Sequence, residues 1–239
     1  MCTLEKRGNI YVLTLTGEDE HRLNPTLIGA IRSALSRIRS DPTSHSSSAL
    51  VTTSQGKFFS NGYDLAWARS SPPRIRQMSS ELRALVSDLL SLPMPTIAAV
   101  CGHASAAGLI LALSHDYVLM RKDRGFLYMS EMNIGLKIPA WFMAVINSKI
   151  GDPRVRREMV LKASKITAKQ GVEKGILDAA CESAEETVKQ ATELASELAG
   201  KGWNGKVYID NRLVLVKELF DTIGSDETTD DVNGVLSKI

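Results

Sequence analysis

Short β-rich segments alternate with amphipathic helical segments along the first two thirds of the chain, and this alternation constrains the fold more than any other feature. Residues 9–16 are rich in β-branched and aromatic side chains and stop at Gly17, which predicts a strand. Apolar residues recur at helical spacing over 26–40, and a second strand is predicted over 49–53. Strand, helix and strand in this order form a βαβ unit, so we expect an α/β fold.

The same pattern continues towards the C-terminus. Further strands are predicted at 95–100, 117–120 and 126–129, and further helices at 72–92, 109–114, 140–148 and 154–162. Ser183 and Glu186 have the spacing of a capping box at the start of a long helix, and an apolar stripe from Leu213 to Ile223 predicts more helix. Residues 225–233 are polar and acidic, and we expect them to be mobile.

The composition excludes several classes of function. The chain has 239 residues, and its 29 basic and 27 acidic residues give a formal charge of +2. Nearly balanced charges do not indicate binding to nucleic acid, which requires an excess of basic residues. No unbroken apolar run is long enough to span a membrane. The three cysteines lie far apart and the four histidines lack ligand spacing. We therefore expect neither a disulfide framework nor a metal site.

Two loops of small residues follow predicted strands, at Ser60-Asn61-Gly62-Tyr63 and at Ala104-Ser105-Ala106-Ala107-Gly108. Each can expose a backbone N–H where a helix begins, and two such amides directed at one point would form an oxyanion hole. Spacing alone leaves open the alternative of ordinary close-packed turns. Neither glycine pattern of nucleotide-binding loops occurs in the chain, so a phosphate loop is not expected.

Glu131 is an ionisable residue among mainly apolar neighbours. Burial there would raise its pKa towards the range that suits a general base, whereas an exposed or ion-paired glutamate at a strand end is the alternative. His103 and Ser105 do not have the arrangement of a catalytic triad, and no GxSxG motif is present. Asp64 is expected to cap a helix, and Asp116 is expected to be structural.

The segments Phe58-Phe59-Ser60-Asn61-Gly62-Tyr63-Asp64-Leu65 and Pro95 to Gly108, followed by Asp116-Tyr117, together resemble the crotonase (enoyl-CoA hydratase/isomerase) superfamily. The details look closest to the plant peroxisomal Δ3,Δ2-enoyl-CoA isomerases. The resemblance implies an α/β fold with a crotonase-like spiral of ββα units over 1–195, a C-terminal helical trimerisation region over 196–224 and a mobile tail over 225–239. It also implies acyl-CoA thioester substrates and no cofactor, since coenzyme A is part of the substrate.

Carried over residue by residue, the resemblance implies that the backbone amides of Tyr63 and Ala107 form the oxyanion hole and that Glu131 is the catalytic base. The substrate-binding residues that it implies are Arg22, Leu23, Ser60, Asn61, Gly62, Asp64, Leu65 and Gly108.

Hydratases of the superfamily have a glutamate three residues after the second oxyanion position, where this chain has Ile110. Moving a double bond requires one base, whereas adding water usually requires two carboxylates. We therefore expect an isomerase that moves a 3-enoyl-CoA double bond to the trans-2 position in fatty-acid β-oxidation. The alternatives are a hydratase of altered design, a thioesterase and a non-catalytic acyl-CoA-binding relative.

The chain ends in Ser237-Lys238-Ile239, which differs by one residue from the peroxisomal Ser-Lys-Leu address. Together with the resemblance, this ending predicts a peroxisomal protein that is recognised by an import receptor, with the cytoplasm as the alternative. The resemblance further implies a homotrimer or a dimer of trimers. No nucleic-acid or membrane partner is expected.

Overall fold

The computed structural model describes residues 1–42 and 47–224. The strands in these ranges are β1 (Cys2–Arg7), β2 (Ile10–Leu15), β3 (Ala49–Ser54), β4 (Phe58–Ser60), β5 (Thr96–Val100), β6 (His103–Ser105), β7 (Tyr117–Arg121), β8 (Leu127–Tyr128) and β9 (Ala179–Cys181). The helices are α1 (Pro25–Ser40), α2 (Leu65–Arg69), α3 (Pro72–Leu90), α4 (Ala107–Leu113), α5 (Glu131–Ile134), α6 (Ala140–Lys149), α7 (Pro153–Leu161), α8 (Ala168–Glu173), α9 (Ala184–Gly200), α10 (Gly205–Leu215) and α11 (Lys217–Ile223).

Two sheets share the strands of the described residues. The larger sheet has the order β1-β2-β3-β5-β7-β9 and is parallel except for the antiparallel pair of β1 and β2. The smaller sheet, β4-β6-β8, is entirely parallel. Strands β3, β5 and β7 lie in the larger sheet, and each is followed by a strand of the smaller sheet and then by a helix. This repetition confirms the spiral of ββα units.

Helices cover both faces of the larger sheet. Leu13 and Leu50 contribute to the main core with apolar residues of α1, α3 and α4. The opposite face of the sheet carries Val12, Val51 and Ile97, which alternate along their strands with residues of the main core. These residues pack against apolar residues of α9. Successive side chains of a strand point to opposite faces, so burial of both faces requires these nearly continuous apolar strands.

The N-terminal strand β1 was not predicted from the sequence. It contains Leu4 among charged residues, and most of its positions are exposed. Gly8, with a φ of 63°, forms the turn that pairs β1 with β2 at the edge of the larger sheet. An edge strand that faces solvent needs no apolar alternation, and charged residues there discourage pairing with other chains.

The other predicted strands and helices are present, with small differences at their ends. The apolar stripe from Leu213 to Ile223 spans two helices, α10 and α11, that meet at Val216. The expected domain boundary between residues 195 and 196 falls inside α9, and the division of the chain stays a prediction. The tail over 225–239 lies outside the described residues. No helix of the described ranges has the length and apolar character needed to cross a membrane.

A buried ion pair fastens α10 to the rest of the fold. Arg212 is 5% exposed, and its guanidinium contacts Asp116 Oδ2 at 2.6 Å. The same guanidinium donates hydrogen bonds to the backbone carbonyls of Leu90, the last residue of α3, and of Leu92 and Met94, which follow this helix. Although burial opposes ionisation, the charge of Arg212 holds the pKa of Asp116 below its usual value. Asp116 therefore has the structural role expected from the sequence, as the partner of Arg212 in this ion pair.

Candidate active site

The three strands of the smaller sheet direct the predicted catalytic residues to one edge. Tyr63 follows β4, Ala107 follows β6, and Glu131 follows β8, each within three residues of the end of its strand. The strands are parallel, so their carboxyl ends meet at the same edge of the sheet. The structure therefore brings together three residues that are far apart in the sequence.

The two loops of small residues pack directly against each other. Gly62 has a φ of 75°, and a Cβ at this position would lie 3.0 Å from the Ser105 oxygen and 3.3 Å from the Ala107 nitrogen. A Cβ at Gly108 would lie 2.2 Å from the Ser60 carbonyl oxygen, which is far inside van der Waals contact. Gly108 has no room for a side chain, and at Gly62 the tight contacts and the positive φ together favour glycine.

The backbone amides of Tyr63 and Ala107 are available to a ligand. In the described part of the chain neither N–H donates a hydrogen bond to another protein group. Ala107 is the first residue of α4, where the N–H groups of a helix have no partner within the helix. Ala106, just before it, has a φ of 50°, an unusual value for a residue with a side chain. This strained residue turns the chain from β6 into α4.

Glu131 is buried, with 6% of its surface exposed, and it is the first residue of α5. Its Oε2 atom has no hydrogen-bond partner among the described residues. Removal from water raises the pKa of Glu131 to about 7, and backbone hydrogen bonds offset only part of this effect. Near neutral pH, a carboxyl with this pKa can both accept a proton and give it back.

The phenol of Tyr63 extends from the oxyanion loop towards α3. It lies beside Ser79, and its ring centroid is 6.0 Å from that of Phe142. Burial is the main cause that raises the pKa of Tyr63 above its usual value, and the nearby charge of Glu131 contributes in the same direction. The phenol therefore stays protonated at physiological pH.

Arg22 and Leu23 lie on the chain segment that pairs with the first oxyanion loop. Leu23 accepts a backbone hydrogen bond from Asp64 and donates one to Gly62. The Arg22 guanidinium is partly exposed and pairs with Glu20 at 2.6 Å. The charge of Arg22 is thus paired with a carboxylate. The contact of Arg22 with the substrate stays a prediction.

The side chains of Ser60 and Asn61 tie the first oxyanion loop to Glu20 and His21. Asn61 donates a hydrogen bond to Glu20 at 3.0 Å. Ser60 donates to the His21 carbonyl at 2.8 Å and accepts from the amide of Gly62. These contacts fix the shape of the loop that carries the Tyr63 amide.

Asp64 and Leu65 form the start of α2. The Asp64 carboxylate accepts a hydrogen bond from the Trp67 amide at 3.0 Å, which is the helix cap expected from the sequence. The same carboxylate accepts a hydrogen bond from Asn24, the N-cap residue of α1. Asp64 therefore links the starts of two helices next to the site.

His103 and Ser105 do not form a nucleophilic pair with each other. Ser105 is buried, and the His103 ring instead packs 4.9 Å from the ring of Phe58. The residues that sequence reasoning missed are Ala106, Ser79 and Arg212. A positive φ at an alanine and contacts between distant segments leave no local pattern, so no sequence signal indicated them.

No group of three His, Cys, Asp or Glu side chains in the described ranges is arranged to hold a metal ion. A cavity of about 600 Å³ lies elsewhere, beside α10, and none of Tyr63, Ala107 and Glu131 lines it. Ile110 is fully buried in α4, one turn after the Ala107 amide.

A family model described as enoyl-CoA hydratase/isomerase matches residues 5–213. The chain belongs to the enoyl-CoA hydratase/isomerase family. It is 59% identical over 233 residues to "Enoyl-CoA delta isomerase 1, peroxisomal" of Arabidopsis thaliana, a match that covers 97% of each chain. It is also 51% identical to "Enoyl-CoA delta isomerase 2, peroxisomal" of the same plant, over 94% of this chain and 95% of that one.

Solved structures of this family share the fold. An enoyl-CoA isomerase of Mycobacterium tuberculosis superposes with a TM-score of 0.85 at 22% sequence identity, covering 98% of this chain and 97% of that one. At this identity the similarity shows the fold alone. It agrees with the spiral of ββα units described above.

Proposed function

We propose that this protein is a Δ3,Δ2-enoyl-CoA isomerase, which moves a 3-enoyl-CoA double bond to the trans-2 position. One observation carries the proposal: within residues 1–42 and 47–224, the one buried carboxyl, Glu131, lies at the same sheet edge as two amides without a protein partner, those of Tyr63 and Ala107. The similar Arabidopsis proteins named enoyl-CoA delta isomerase support it at 59% and 51% identity.

In the proposed mechanism the thioester carbonyl accepts hydrogen bonds from the amides of Tyr63 and Ala107. Glu131 removes a proton from C2, and the negative charge of the resulting dienolate is held at the thioester oxygen by the two amides. The protonated carboxyl of Glu131 then delivers the same proton to C4, and the double bond moves to C2. Each oxyanion donor typically lowers such a barrier by about 2.7 to 4 kcal/mol.

The surroundings of Glu131 favour isomerisation over hydration. Adding water to the double bond usually requires a second carboxylate to hold the water, and Ile110 lies on α4 at the position where hydratases of the family have that acid. Among the described residues, Glu131 is the one carboxylate with less than a tenth of its surface exposed. One buried base suits a proton transfer from C2 to C4.

Substrate contacts, assembly and location follow as finer parts of the proposal. Coenzyme A enters as part of the substrate, near Arg22, Leu23 and the loop over 60–65, with Gly108 against the thioester, and no further cofactor takes part. The protein forms a homotrimer or a dimer of trimers through its C-terminal helices. It acts in the peroxisome, as the names of the Arabidopsis relatives suggest for those proteins.

The import signal proposed for that compartment is Ser237-Lys238-Ile239, which lies outside the described residues. A fluorescent protein fused before this ending should enter peroxisomes and should stay diffuse when the last three residues are removed. Equal diffuse staining of both fusions would contradict the import signal, and it would leave the proposed reaction untouched.

The reaction is tested with 3-hexenoyl-CoA, following formation of 2-enoyl-CoA through a coupled hydratase and dehydrogenase. Glu131→Gln should abolish turnover and leave binding of hexanoyl-CoA nearly unchanged, because the change removes a base but keeps the shape of the site. Glu193→Gln, at an exposed glutamate of α9, is the matched control and should keep wild-type activity. More than about a tenth of the wild-type rate in Glu131→Gln would contradict the role of this residue.

A further inference from the structure

The side chain of Tyr63 has no role in the proposed proton transfer, although the backbone amide of the same residue is one of the two oxyanion donors. Tyr63 is partly exposed as a whole, whereas its hydroxyl is buried. The side chain therefore runs inward from the sheet edge at which the amide lies. A bulky side chain so close to the thioester carbonyl limits the space that is left for the rest of the substrate.

Residues of α3 and α6 hold the Tyr63 ring in place. Its centroid is 6.0 Å from that of the Phe142 ring in α6, and its hydroxyl lies beside Ser79 of α3. The ring also packs against a small apolar cluster to which Ile75 and Met78 of α3 belong. Contacts from two helices thus fix the direction of this side chain.

The proposed mechanism fixes the first part of the acyl chain. The thioester oxygen is held by the amides of Tyr63 and Ala107, and both C2 and C4 lie within reach of the Glu131 carboxyl. The charge of Glu131 acts on the Tyr63 phenol, so the phenol extends to the side of the loop on which Glu131 lies. The carbon atoms beyond C4 therefore start next to the Tyr63 ring.

Two directions are open to the chain beyond C4. Outward, it would cross α5, where Met132 and Ile134 are exposed, and it would stay largely in water. Inward, it would enter the apolar space between α3 and α6, where Met78 and Phe142 are buried. Removal of apolar carbon atoms from water favours the inward direction.

The inward space ends at the Tyr63 ring. Protein interiors are close-packed, and this ring lies between Phe142 and the apolar cluster of α3. Further methylene groups could enter only if the ring moved away, and its contacts with both helices oppose such a movement.

We propose that the Tyr63 ring closes the acyl pocket behind Glu131 and restricts the site to short acyl chains. The inference rests on the proposed function, because it uses the positions of the thioester and of C4. A smaller side chain at this position opens space between α3 and α6. Each methylene group buried there strengthens binding about fourfold, so space for two or more shifts the preference by at least about tenfold.

The test compares binding of hexanoyl-CoA and dodecanoyl-CoA, measured by calorimetry on the full-length protein. The ratio of the two affinities cancels changes in the oxyanion loop, which both ligands use equally. The wild type should bind dodecanoyl-CoA no more tightly than hexanoyl-CoA. Tyr63→Leu and Tyr63→Ala should shift the ratio at least tenfold towards dodecanoyl-CoA, whereas Tyr63→Phe, which keeps the ring, should retain the wild-type ratio.

Two further variants complete the comparison. Phe142→Leu enlarges the same space from α6 without changing the oxyanion loop, so it should shift the ratio in the same direction even if the loop of the Tyr63 variants is disturbed. Val172→Ala, at an exposed apolar residue of α8, is the control and should retain the wild-type ratio. The proposal is overturned if Tyr63→Leu, Tyr63→Ala and Phe142→Leu all keep the wild-type ratio. It is equally overturned if the wild type binds dodecanoyl-CoA at least tenfold more tightly, as a chain that leaves over α5 would allow.

Turnover separates this proposal from the proposed function. The values of kcat/KM for 3-hexenoyl-CoA and 3-dodecenoyl-CoA should follow the binding ratio in each variant. Absence of turnover in the wild type would contradict the isomerase, and the binding ratio would still decide whether Tyr63 closes the acyl pocket, because binding of a saturated thioester requires no reaction.

Discussion

Replacing Glu131 with glutamine should stabilise the protein at alkaline pH although it removes the proposed base. The carboxyl is 6% exposed and its Oε2 atom has no partner in the described ranges, so its ionised form is poorly solvated. Burial raises the pKa of Glu131 from 4.5 to about 7. The folded protein therefore holds this proton more tightly than the unfolded chain does, and ionisation costs stability.

The sign and size of the effect follow from this difference in pKa. The favourable contribution of protonated Glu131 is fully present below pH 4.5 and is lost as the pH rises to about 7. At about 1.36 kcal/mol per pH unit, the loss amounts to about 3 kcal/mol at pH 8. A buried glutamine amide without partners reduces the gain, so we expect Glu131→Gln to stabilise the protein by about 1 to 3 kcal/mol at pH 8 and by less than about 1 kcal/mol at pH 5.

The assay is equilibrium unfolding in guanidinium chloride at pH 8 and at pH 5, at one fixed protomer concentration because oligomers unfold with a concentration-dependent midpoint. Glu193→Gln, at an exposed glutamate, is the control and should change the free energy of unfolding by the same small amount at both pH values. If Glu131→Gln changes the free energy of unfolding equally at pH 8 and pH 5, burial does not raise the pKa of this carboxyl and the reasoning is refuted.

Three further predictions concern the site and its support. The value of kcat/KM for 3-hexenoyl-CoA should fall about tenfold per pH unit below about pH 7, because Glu131 must be ionised to accept the proton; a flat profile from pH 5 to 8 would contradict this. Gly108→Ala should abolish activity and lower the thermal midpoint because its Cβ would meet backbone at 2.2 Å, whereas Gly29→Ala in α1, with nothing within 4 Å, should leave activity unchanged; equal activity of the two variants would refute the packing argument. Asp116→Asn should lower the free energy of unfolding by about 3 to 5 kcal/mol, as the buried charge of Arg212 loses its partner, and a loss below about 1 kcal/mol in denaturant unfolding would show that the pair is dispensable.

The elements that sequence reasoning predicted are those whose physical cause is local. Helix α1 shows its buried face as apolar residues at helical spacing, and it ends just before Pro42. The two oxyanion loops were visible because close approach of backbones requires small residues: Gly108 has no room for a Cβ, and Gly62 combines tight contacts with a positive φ. The order of these loops along the chain carried the resemblance that indicated the spiral.

The elements that could not be predicted depend on distant parts of the chain. Arg212 looks like any surface arginine in the sequence, and its partner Asp116 lies 96 residues away. The burial of Glu131 was one of two open readings, because local sequence does not show which helices cover a strand end. Tyr63 was expected to act through its amide, and nothing in the motif indicated that its phenol lies beside Ser79 of α3.

Helix α4 is the place where the fold and the proposed chemistry constrain each other most. All seven of its residues are buried, so the helix cannot shift without disturbing packing on every side. Its N-terminus must hold the Ala107 amide within hydrogen-bonding range of a thioester oxygen, and a displacement of about 1 Å at such a site can cost about a hundredfold in rate. The same rigid burial requires an apolar residue such as Ile110 on its next turn unless a charged group there is compensated. Because the buried Ile110 of this chain brings no charge to α4, the acid of the proposed site must come from another element, and Glu131 supplies it from the chain that follows β8.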